Sequence, residues 1–401
     1  MKIAVITQAP FPEGLATTNR VYYHAKGLKD NGVDVKIFLT MPTERVGKVV
    51  NDNISGEING VPFEYTPGKT IRSLSFIQRR IDDFFGPIKA AIKVVKGNYD
   101  AGVLISCNSA YQIMLFKIIF FLGKVKYIAE RTELPFQGRR KNGIFKFRNK
   151  LLELFLYKNL YGFLTISKVL QKHYKKIVSK SCPVVLIPVI VDVDEIYKKN
   201  VKRTRNLVYT GPLLQKKDGI LTIIESFAQI TKEFPEVRMI LTGSMELSTD
   251  SDKIEELISK YDLKDKMDFK GFISREEMVN YLNSAVGLVL AKPSSDQADT
   301  CFPTKLGEYM ATGNPIIVTR TGEIPLYLKD GENAYIAEPD SVESFTNKLR
   351  ELLLDSKKAD KIGKQGKVTA QECFNYAEIA KKVIKLVGNK KYYLKQEQKL
   401  R

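Results

Sequence analysis

Tryptophan is absent from this chain of 401 residues, and histidine occurs only twice, as His24 and His173. The four cysteines are too far apart to form a C-x-x-C pair: Cys107, Cys182, Cys301 and Cys373. These residues cannot complete a zinc-binding cluster at any usual ligand spacing, and nothing in their arrangement calls for disulfide bonds. The composition therefore predicts a reduced cytoplasmic protein without a bound metal.

Long hydrophobic runs are missing as well. The apolar run in residues 1–7 is too short for a signal peptide and is typical of a β-strand. The most apolar later run, residues 113–122, is interrupted by Lys117 and has about half of the roughly 20 residues that a membrane-spanning helix needs. No transmembrane helix is expected.

Acidic residues are outnumbered by basic ones, 45 to 64, which gives a formal net charge of +19. Such a balance is typical of proteins that meet nucleic acid, an anionic membrane surface or phosphorylated substrates. A lysine-rich, solvated surface explains it equally well. Because no recognised nucleic-acid-binding motif is present, nucleic acid is not an expected partner.

Apolar runs of strand length alternate with amphipathic runs of helix length along the whole chain. The alternation occurs in two rounds, which open at residues 2–7 and 206–211. One hydrophobic core seldom extends beyond roughly 250–300 residues, so two domains are expected. The order predicts two doubly wound α/β domains with parallel sheets, and the charged residues 198–205 follow the boundary between them.

The strongest candidate binding segment is residues 302–313, where a polar loop leads into a helix. Pro303 suits the first helical position, and the amides of Thr304 and Lys305 then point out of the positive end of the helix dipole. Such a helix start can bind a diphosphate, and Glu308 one turn later can accept hydrogen bonds from a ribose diol. A capped helix with an exposed glutamate explains the same residues.

A second candidate loop, residues 211–219, directly follows the first strand of the second domain. Gly211 and Gly219 flank this loop, and Lys216 and Lys217 can contact phosphate oxygens. The spacing is not that of a P-loop. Solvated loop lysines are the alternative.

Two loops of the first domain are further candidates. Gly14 follows the first strand and lets a ligand approach the backbone closely, with Arg20 in the next helix. Glu130, Arg131 and Glu133 follow one another at the end of a predicted strand, where carboxylates can contact hydroxyls or transfer protons. An ordinary strand–helix turn and a surface ion pair are the respective alternatives.

Four segments, taken in order, resemble glycosyltransferase family 4, which has the GT-B fold. Residues 1–20, with Phe-Pro-Glu-Gly at 11–14, look like the family's first strand and glycine loop, and residues 187–192 look like its interdomain Ile-Pro-Asn-Gly-Val-Asp. Residues 269–278 (Phe-Lys-Gly-Phe-Ile-Ser-Arg-Glu-Glu-Met) and 307–315 (Gly-Glu-Tyr-Met-Ala-Thr-Gly-Asn-Pro) resemble its donor-domain signature. The last two segments, in this order and separation, are quite specific.

The resemblance implies two Rossmann-like domains that face each other across a cleft. Residues 1–195 would form the acceptor-side domain, residues 196–373 the nucleotide-sugar donor domain, and residues 374–401 a helix that crosses back, with a basic tail. It further implies retaining, metal-independent hexosyl transfer from a nucleotide-diphosphate sugar to a saccharide or lipid-linked hydroxyl acceptor. No cofactor is implied. Bacterial capsule, lipopolysaccharide and exopolysaccharide transferases are the expected relatives.

The resemblance also assigns residues. Lys217 matches the diphosphate lysine and Glu308 the ribose-binding glutamate, and with Glu133 they are the candidate catalytic residues. The remaining candidates line the expected donor site: Gly14, Gly211, Gly271, Phe272, Asp299, Thr304, Lys305 and Leu306.

Three departures from the family pattern bear on function. Thr300 stands where the first glutamate of the family's E-x7-E motif is expected, beside Asp299, and Pro212 stands where many members have an arginine. The strand end with Glu130 and Glu133 replaces a common histidine. A subgroup with a Phe-Pro-x-Lys-Leu-x-Glu-Tyr-Met pattern accounts for these departures. A non-enzymatic nucleotide-binding scaffold and a nucleotide-sugar epimerase are the alternatives.

Residues 139–150 contain six basic residues and no acidic one, interleaved with apolar side chains. With Arg139, Arg140, Lys141 and Lys146, this stretch suits an anionic bilayer, and therefore a peripheral location on the inner face of the cell membrane. An ordinary helix with a solvated basic face explains it as well.

Overall fold

The computed structural model of the chain describes residues 1–14, 16–107, 109–133, 153–295, 298 and 302–399. The chain divides into two compact units, Met1–Ile190 with Tyr376–Arg401, and Val191–Asn375. The corresponding boundaries predicted from the sequence follow residues 195 and 373. Both boundaries of the structure lie within five residues of those positions.

The first unit is built on an eight-stranded sheet with the strand order β3-β4-β2-β1-β5-β6-β7-β8. Every neighbouring pair is parallel except β3 and β4, which form an antiparallel hairpin at one edge. The strands are β1 (Lys2–Thr7), β2 (Asp34–Leu39), β3 (Ser55–Ile58), β4 (Val61–Tyr65), β5 (Ala101–Ile105), β6 (Lys126–Arg131), β7 (Gly162–Thr165) and β8 (Val184–Leu186). This edge hairpin was not predicted from the sequence, because β3 is short and mostly exposed.

Two hydrophobic cores lie on opposite faces of this sheet. In β1 the fully buried Ile3 and Val5 belong to one core, and Ala4 and Ile6 belong to the other. Such a strand reads as a continuous apolar run because both of its faces are covered by helices. Helices among the described residues of this unit include Ala16–Asp30, Phe76–Lys96, Ala110–Leu122, Lys168–Lys175, Tyr376–Gly388 and Lys390–Lys399.

The second unit contains six parallel strands in the order β11-β10-β9-β12-β13-β14. These are β9 (Asn206–Tyr209), β10 (Arg238–Leu241), β11 (Met267–Phe269), β12 (Gly287–Leu290), β13 (Ile316–Thr319) and β14 (Tyr335–Ala337). Where the structure describes this unit, its helices include Val193–Ile196, Gln215–Asp218, Ile220–Ile230, Ser251–Lys260, Arg275–Ser284, Thr304–Ala311, Val342–Leu354 and Ser356–Cys373, and Ile324–Leu326 is a 3-10 turn. The strand order reverses between β9 and β12, which is the switch point where doubly wound sheets bind ligands.

The predicted fold class is confirmed: both units are α/β with parallel or mainly parallel sheets. Within the described ranges, no helix is long and apolar enough to cross a membrane.

Gly219 joins the loop after β9 to the loop after β12. Its φ of +74° is in the left-handed region, and a Cβ at this position would collide with the carbonyl oxygen of Ala291. Gly331 has nearly the same φ, +73°, but open space around it. The two glycines separate the effect of backbone conformation from that of close packing.

We expect Gly219→Ala to destabilise the second unit by about 2 kcal/mol or more, because backbone strain and a steric collision add. Gly331→Ala carries only the left-handed strain and is expected to lose about 1 kcal/mol. Thermal unfolding measures both, with about 2–4 °C per kcal/mol for a unit of this size. Equal losses would show that Gly219 is not closely packed.

Candidate functional site

The helix Thr304–Ala311 is tied to the end of strand β9 at the switch point. The backbone amide of Thr210, the residue after β9, donates a hydrogen bond to the hydroxyl of Tyr309 at 2.8 Å. Tyr309 is fully buried, so this contact fixes the helix against the strand. Pro303 was predicted to be the first residue of this helix. It is instead the residue directly before the helix, which begins at Thr304.

A buried ion pair lies beside the start of this helix. Lys305 Nζ donates to Asp218 Oδ2 at 2.7 Å, and the side chains are only 15% and 4% exposed. The hydroxyl of Tyr209 lies 2.8 Å from the same carboxylate oxygen, and Lys305 Nζ is 4.4 Å from the centre of the Tyr209 ring. A Cβ on Gly211 would meet the Lys305 ammonium, so glycine leaves room for this charge.

Positive charge exceeds negative charge around Lys305. Burial lowers the pKa of Lys305 below its ordinary value. The charges of Lys217 and Lys292 lower it further, and the ion pair with Asp218 opposes the shift. Lys292 is itself buried and reaches towards the carbonyl oxygen of Lys217, at 3.4 Å. Three ammonium groups, against the two carboxylates of Asp218 and Glu308, leave an excess of positive charge that suits this edge of the sheet to an anion.

Glu308 lies one turn further along the helix, with 17% of its side chain exposed. Its Oε1 accepts a hydrogen bond from Nη1 of Arg275 at 3.1 Å, and Nε of Arg275 donates to Glu195 at 2.8 Å. Burial raises the pKa of Glu308 above its ordinary value although Arg275 opposes the shift. Arg275 therefore holds the carboxylate of Glu308 in place but compensates its charge only in part. Such a carboxylate can accept hydrogen bonds from a ligand.

Three glycines stack at the carboxyl ends of β9, β10 and β11. The amide of Gly243 donates to the carbonyl of Gly271 at 2.7 Å, and a Cβ on Gly243 would collide with the carbonyl oxygen of Gly211. The structure thus brings the predicted Gly211 and Gly271 to one edge, and Phe272 beside them is 77% exposed.

The other predicted donor residues differ in their environment. Thr304 and Lys217 are exposed, whereas the side chain of Leu306 is fully buried in the core and only its backbone can face a ligand. Asp299 and Thr300 lie outside the described residues, as do Arg139, Arg140, Lys141 and Lys146.

Gly14 and Glu133 belong to the first unit. A Cβ on Gly14 would collide with Thr18 Oγ1, which donates to the carbonyl of Pro10 at 2.7 Å, so Gly14 permits a tight turn. Glu133 is exposed, two residues beyond the end of β6.

Glu130 forms a buried network that sequence reasoning did not find. Its Oε1 accepts from Arg20 at 2.6 Å and lies 3.1 Å from Nε2 of His24, and Arg20 also donates to the carbonyls of Ile187 and Pro188. Arg20 and His24 are four residues apart on one helix face, which is the signal that was available in the sequence.

The network fixes the charge state of Glu130. Burial alone would raise the pKa of Glu130, but Arg20 and His24 hold it far below its usual range. The group therefore stays ionised and is unsuited to exchanging protons near neutral pH. Arg131 donates to the hydroxyl of Tyr157 and to the backbone carbonyl of Glu130, both at 2.8 Å, and not to the Glu130 carboxylate. The alternative explanation, a surface ion pair between these neighbours, therefore does not hold for Glu130 and Arg131.

Known proteins resemble this chain both in sequence and in fold. Residues 192–369 match the family model described as Glycosyl transferases group 1. Sucrose-phosphate synthase from Thermosynechococcus elongatus superposes with a TM-score of 0.70 at 18% identity, covering 96% of this chain and 98% of that one. Anabaena HepE in complex with UDP superposes with a TM-score of 0.68 at 14% identity, covering 97% and 100%.

Two curated relatives match part of the chain. Spore coat protein SA of Bacillus subtilis (strain 168) is 24% identical over 178 residues, 43% of this chain and 45% of the relative. The MMP alpha-(1->4)-mannosyltransferase of Mycolicibacterium hassiacum is 27% identical over 167 residues, 41% of this chain and 38% of the relative. The matched part spans less than half of either relative's length.

The fold is that of the GT-B glycosyltransferases. The second unit carries a Glycosyl transferases group 1 domain, whose bounds nearly coincide with those of the unit itself.

We expect Glu130→Gln to destabilise the first unit by about 3 kcal/mol, because it leaves the buried Arg20 guanidinium without its counter-ion. Urea unfolding measures the loss. Glu338→Gln is the matched control: it removes an exposed partner of Arg320, 2.9 Å away, and should change stability by less than about 1 kcal/mol. A similar small loss for both variants would contradict the buried network.

Glu308 should make stability depend on pH. Because its pKa is raised in the folded state, its favourable contribution is complete below the unfolded pKa near 4.5 and is lost as pH rises through the folded pKa. Glu308→Gln stays neutral, so its melting temperature relative to the unsubstituted protein should rise with pH above about 4.5. Scans from pH 4 to 8 test this, with Glu332→Gln on the exposed surface as control; a constant difference would contradict it.

Proposed function

We propose that the chain is a retaining glycosyltransferase that moves a hexose from a nucleotide-diphosphate sugar to a hydroxyl acceptor. The observation that carries this proposal is an excess of lysine charge at the start of helix Thr304–Ala311, with the carboxylate of Glu308 one turn further along the same helix at the switch point. The group 1 domain and the GT-B fold support it. Family 4 membership and the retaining outcome follow the sequence resemblance.

The donor would lie with its diphosphate at the start of helix Thr304–Ala311. There the positive end of the helix dipole meets Lys305, Lys217 and Lys292, which together compensate phosphate charge. Glu308, one turn on, then accepts hydrogen bonds from the ribose diol. Anabaena HepE, of the same fold, is known in complex with UDP and with UDP-glucose, which supports a uridine nucleotide as the first donor to test.

Catalysis in this proposal is electrostatic stabilisation of the leaving group. As the glycosidic bond breaks, negative charge grows on the departing diphosphate, and the preorganised lysines favour that charge most when it is fully developed. The acceptor hydroxyl bonds to the anomeric carbon on the face that the diphosphate leaves. The departing phosphate oxygen takes the hydroxyl proton, so no side-chain nucleophile and no metal is required.

The biological setting is part of the same proposal. We place the enzyme in cell-surface polysaccharide or glycolipid synthesis, in the cytoplasm and peripheral to the inner membrane face. The net charge of +19 would attract the protein to an anionic membrane surface, where a lipid-linked acceptor is located. If the stretch that contains Arg139, Arg140, Lys141 and Lys146 binds the membrane, neutralising these four residues together should abolish sedimentation of the protein with liposomes.

A second candidate function is nucleotide binding without catalysis. Thr300 and Pro212 stand where the resemblance expects charged donor contacts, and this favours a scaffold. An epimerase is disfavoured, because His24 is buried against Glu130 and unavailable for proton transfer to a sugar.

Thermal shift with UDP, GDP, ADP and dTDP and their sugars should reveal a single preferred nucleotide. At 100 times its dissociation constant the true ligand stabilises the protein by about 2.7 kcal/mol. Glu308→Gln and Lys217→Gln should each weaken that ligand about tenfold, since each removes one charged hydrogen bond. The distant variants Lys329→Gln and Glu332→Gln serve as matched controls.

Activity separates the two candidates. Incubation of the preferred nucleotide-sugar with lipid-linked saccharide acceptors should give a glycosylated product with the donor's anomeric configuration, unaffected by EDTA. Nucleotide binding without product from any acceptor would favour the scaffold. A full nucleotide response in Glu308→Gln would overturn the donor-site assignment.

A further inference from the structure

The start of helix Phe76–Lys96 in the first unit exposes apolar side chains. Phe76 is 62% exposed, Ile77 is 70% exposed, and Leu74 just before the helix is 79% exposed. We call the exposed apolar group of this segment the Phe76 face: Leu74, Phe76, Ile77, Ile81, Phe84 and Phe85. Clustered exposed apolar residues of this kind mark an interaction surface.

The helix keeps one buried side along its length, but the residues on that side change from apolar to polar towards its start. In its last turns, Ala90, Ala91 and Val94 are fully buried in a core of the first sheet, as in any surface helix. In its first turns the same side carries the buried Asp82, while Ile77 and Ile81 lie on the exposed side of the helix. Core packing does not explain the apolar residues at this end.

The start of this helix projects beyond its neighbouring helix. The hydroxyl of Tyr111 donates to the carbonyl of Phe84 at 2.7 Å and the two rings stack at 5.0 Å, so helix Ala110–Leu122 begins alongside Phe84. About two turns, from Phe76 onwards, therefore lie past that helix. Since the helix leads from the end of β4 towards the start of β5, this end lies at the carboxyl edge of the sheet, where ligands of α/β sheets bind.

The charge around the Phe76 face is positive. The guanidinium of Arg80 lies 5.0 Å from the centre of the Phe76 ring, within the apolar group, and Arg79 is adjacent. The two acids of the segment face other cations, Asp82 with Lys69 at 2.8 Å and Asp83 with Arg72 at 3.7 Å. Within the described ranges, neither Arg79 nor Arg80 forms an ion pair.

We propose that the Phe76 face docks on an anionic lipid bilayer. Apolar side chains with arginines among them match a surface whose interior is apolar and whose headgroups are negative. A second copy of the chain fits less well, because two such faces meeting symmetrically would bring like charges together. The docking does not involve residues 139–150 and is separate from the membrane contact suggested for that stretch.

Docking by this face would give the carboxyl edge of the first sheet access to the membrane surface. An acceptor presented there is amphipathic, with its lipid in the bilayer and its sugar or phosphate in water. This consequence rests on the proposed function, whereas the docking itself does not require the enzyme to be active.

The absence of tryptophan makes a direct probe possible. Phe76→Trp introduces a single tryptophan on the face, and Leu354→Trp introduces one at a position of the second unit that is 74% exposed. With vesicles containing phosphatidylglycerol, the emission of Phe76→Trp should shift to shorter wavelength and be quenched by brominated acyl chains. Leu354→Trp should be unchanged, and neutral phosphatidylcholine vesicles should have little effect on either variant.

Vesicle sedimentation then measures the contribution of each group. Phe76→Gln/Ile77→Gln/Ile81→Gln should weaken binding more than tenfold, because the apolar area no longer inserts. Arg79→Gln/Arg80→Gln should weaken it about 25-fold at low salt, from about fivefold per cation. Lys357→Gln/Lys361→Gln, exposed lysines of the second unit, removes the same charge and should have little effect.

The outcomes distinguish the occupants. Unchanged vesicle binding by the triple glutamine variant overturns the proposal. This holds also if neutralising the basic residues in 139–150 abolishes vesicle binding while the triple variant still binds. A dimer in light scattering that the triple variant dissociates, without vesicle binding, assigns the face to a second copy instead. Melting temperature and the nucleotide response are measured without vesicles for each variant, so failed docking and a failed donor site are seen separately.

Discussion

The buried ion pair between Lys305 and Asp218 is the interaction on which the candidate site depends. It joins a helix start to the loop after β9, and the Tyr209 hydroxyl completes it from the strand itself. Because both charged groups are largely removed from water, loss of either one would leave the other uncompensated. The pair therefore holds the loop glycines and the carboxylate of Glu308 in a fixed relation before any ligand binds.

The first unit contains a buried ion pair of the same kind with a different consequence. Arg20 and Glu130 also meet near the carboxyl edge of a parallel sheet, but only 6% and 1% of their side chains are exposed. Arg20 uses its remaining donors on backbone carbonyls, so it is bound to the protein and not to a ligand. Lys305 is more exposed than Arg20, and Lys217 and Lys292 nearby add positive charge that Asp218 does not compensate.

The two units thus contribute different surfaces to one proposed reaction. The second unit provides anion-binding charge at its switch point, and the first provides an apolar, basic helix end at the carboxyl edge of its own sheet. A donor that is a soluble anion and an acceptor that is amphipathic would need these two kinds of surface. The net charge of +19 suits both the anionic donor and an anionic membrane surface, so it does not show which of the two it serves.

The sequence alone determined the fold class and the helix with Lys305 and Glu308, because alternating apolar runs and helix starts are local patterns. It did not reveal partners that are far apart in the chain: Lys305 and Asp218 are separated by 87 residues, Arg275 and Glu308 by 33, and His24 and Glu130 by 106. Which of these meet depends on strand order, and residue spacing does not encode strand order. Tertiary structure also decided which side of helix Phe76–Lys96 faces outwards, since a periodic pattern shows that a helix has an apolar side but not whether the core covers it.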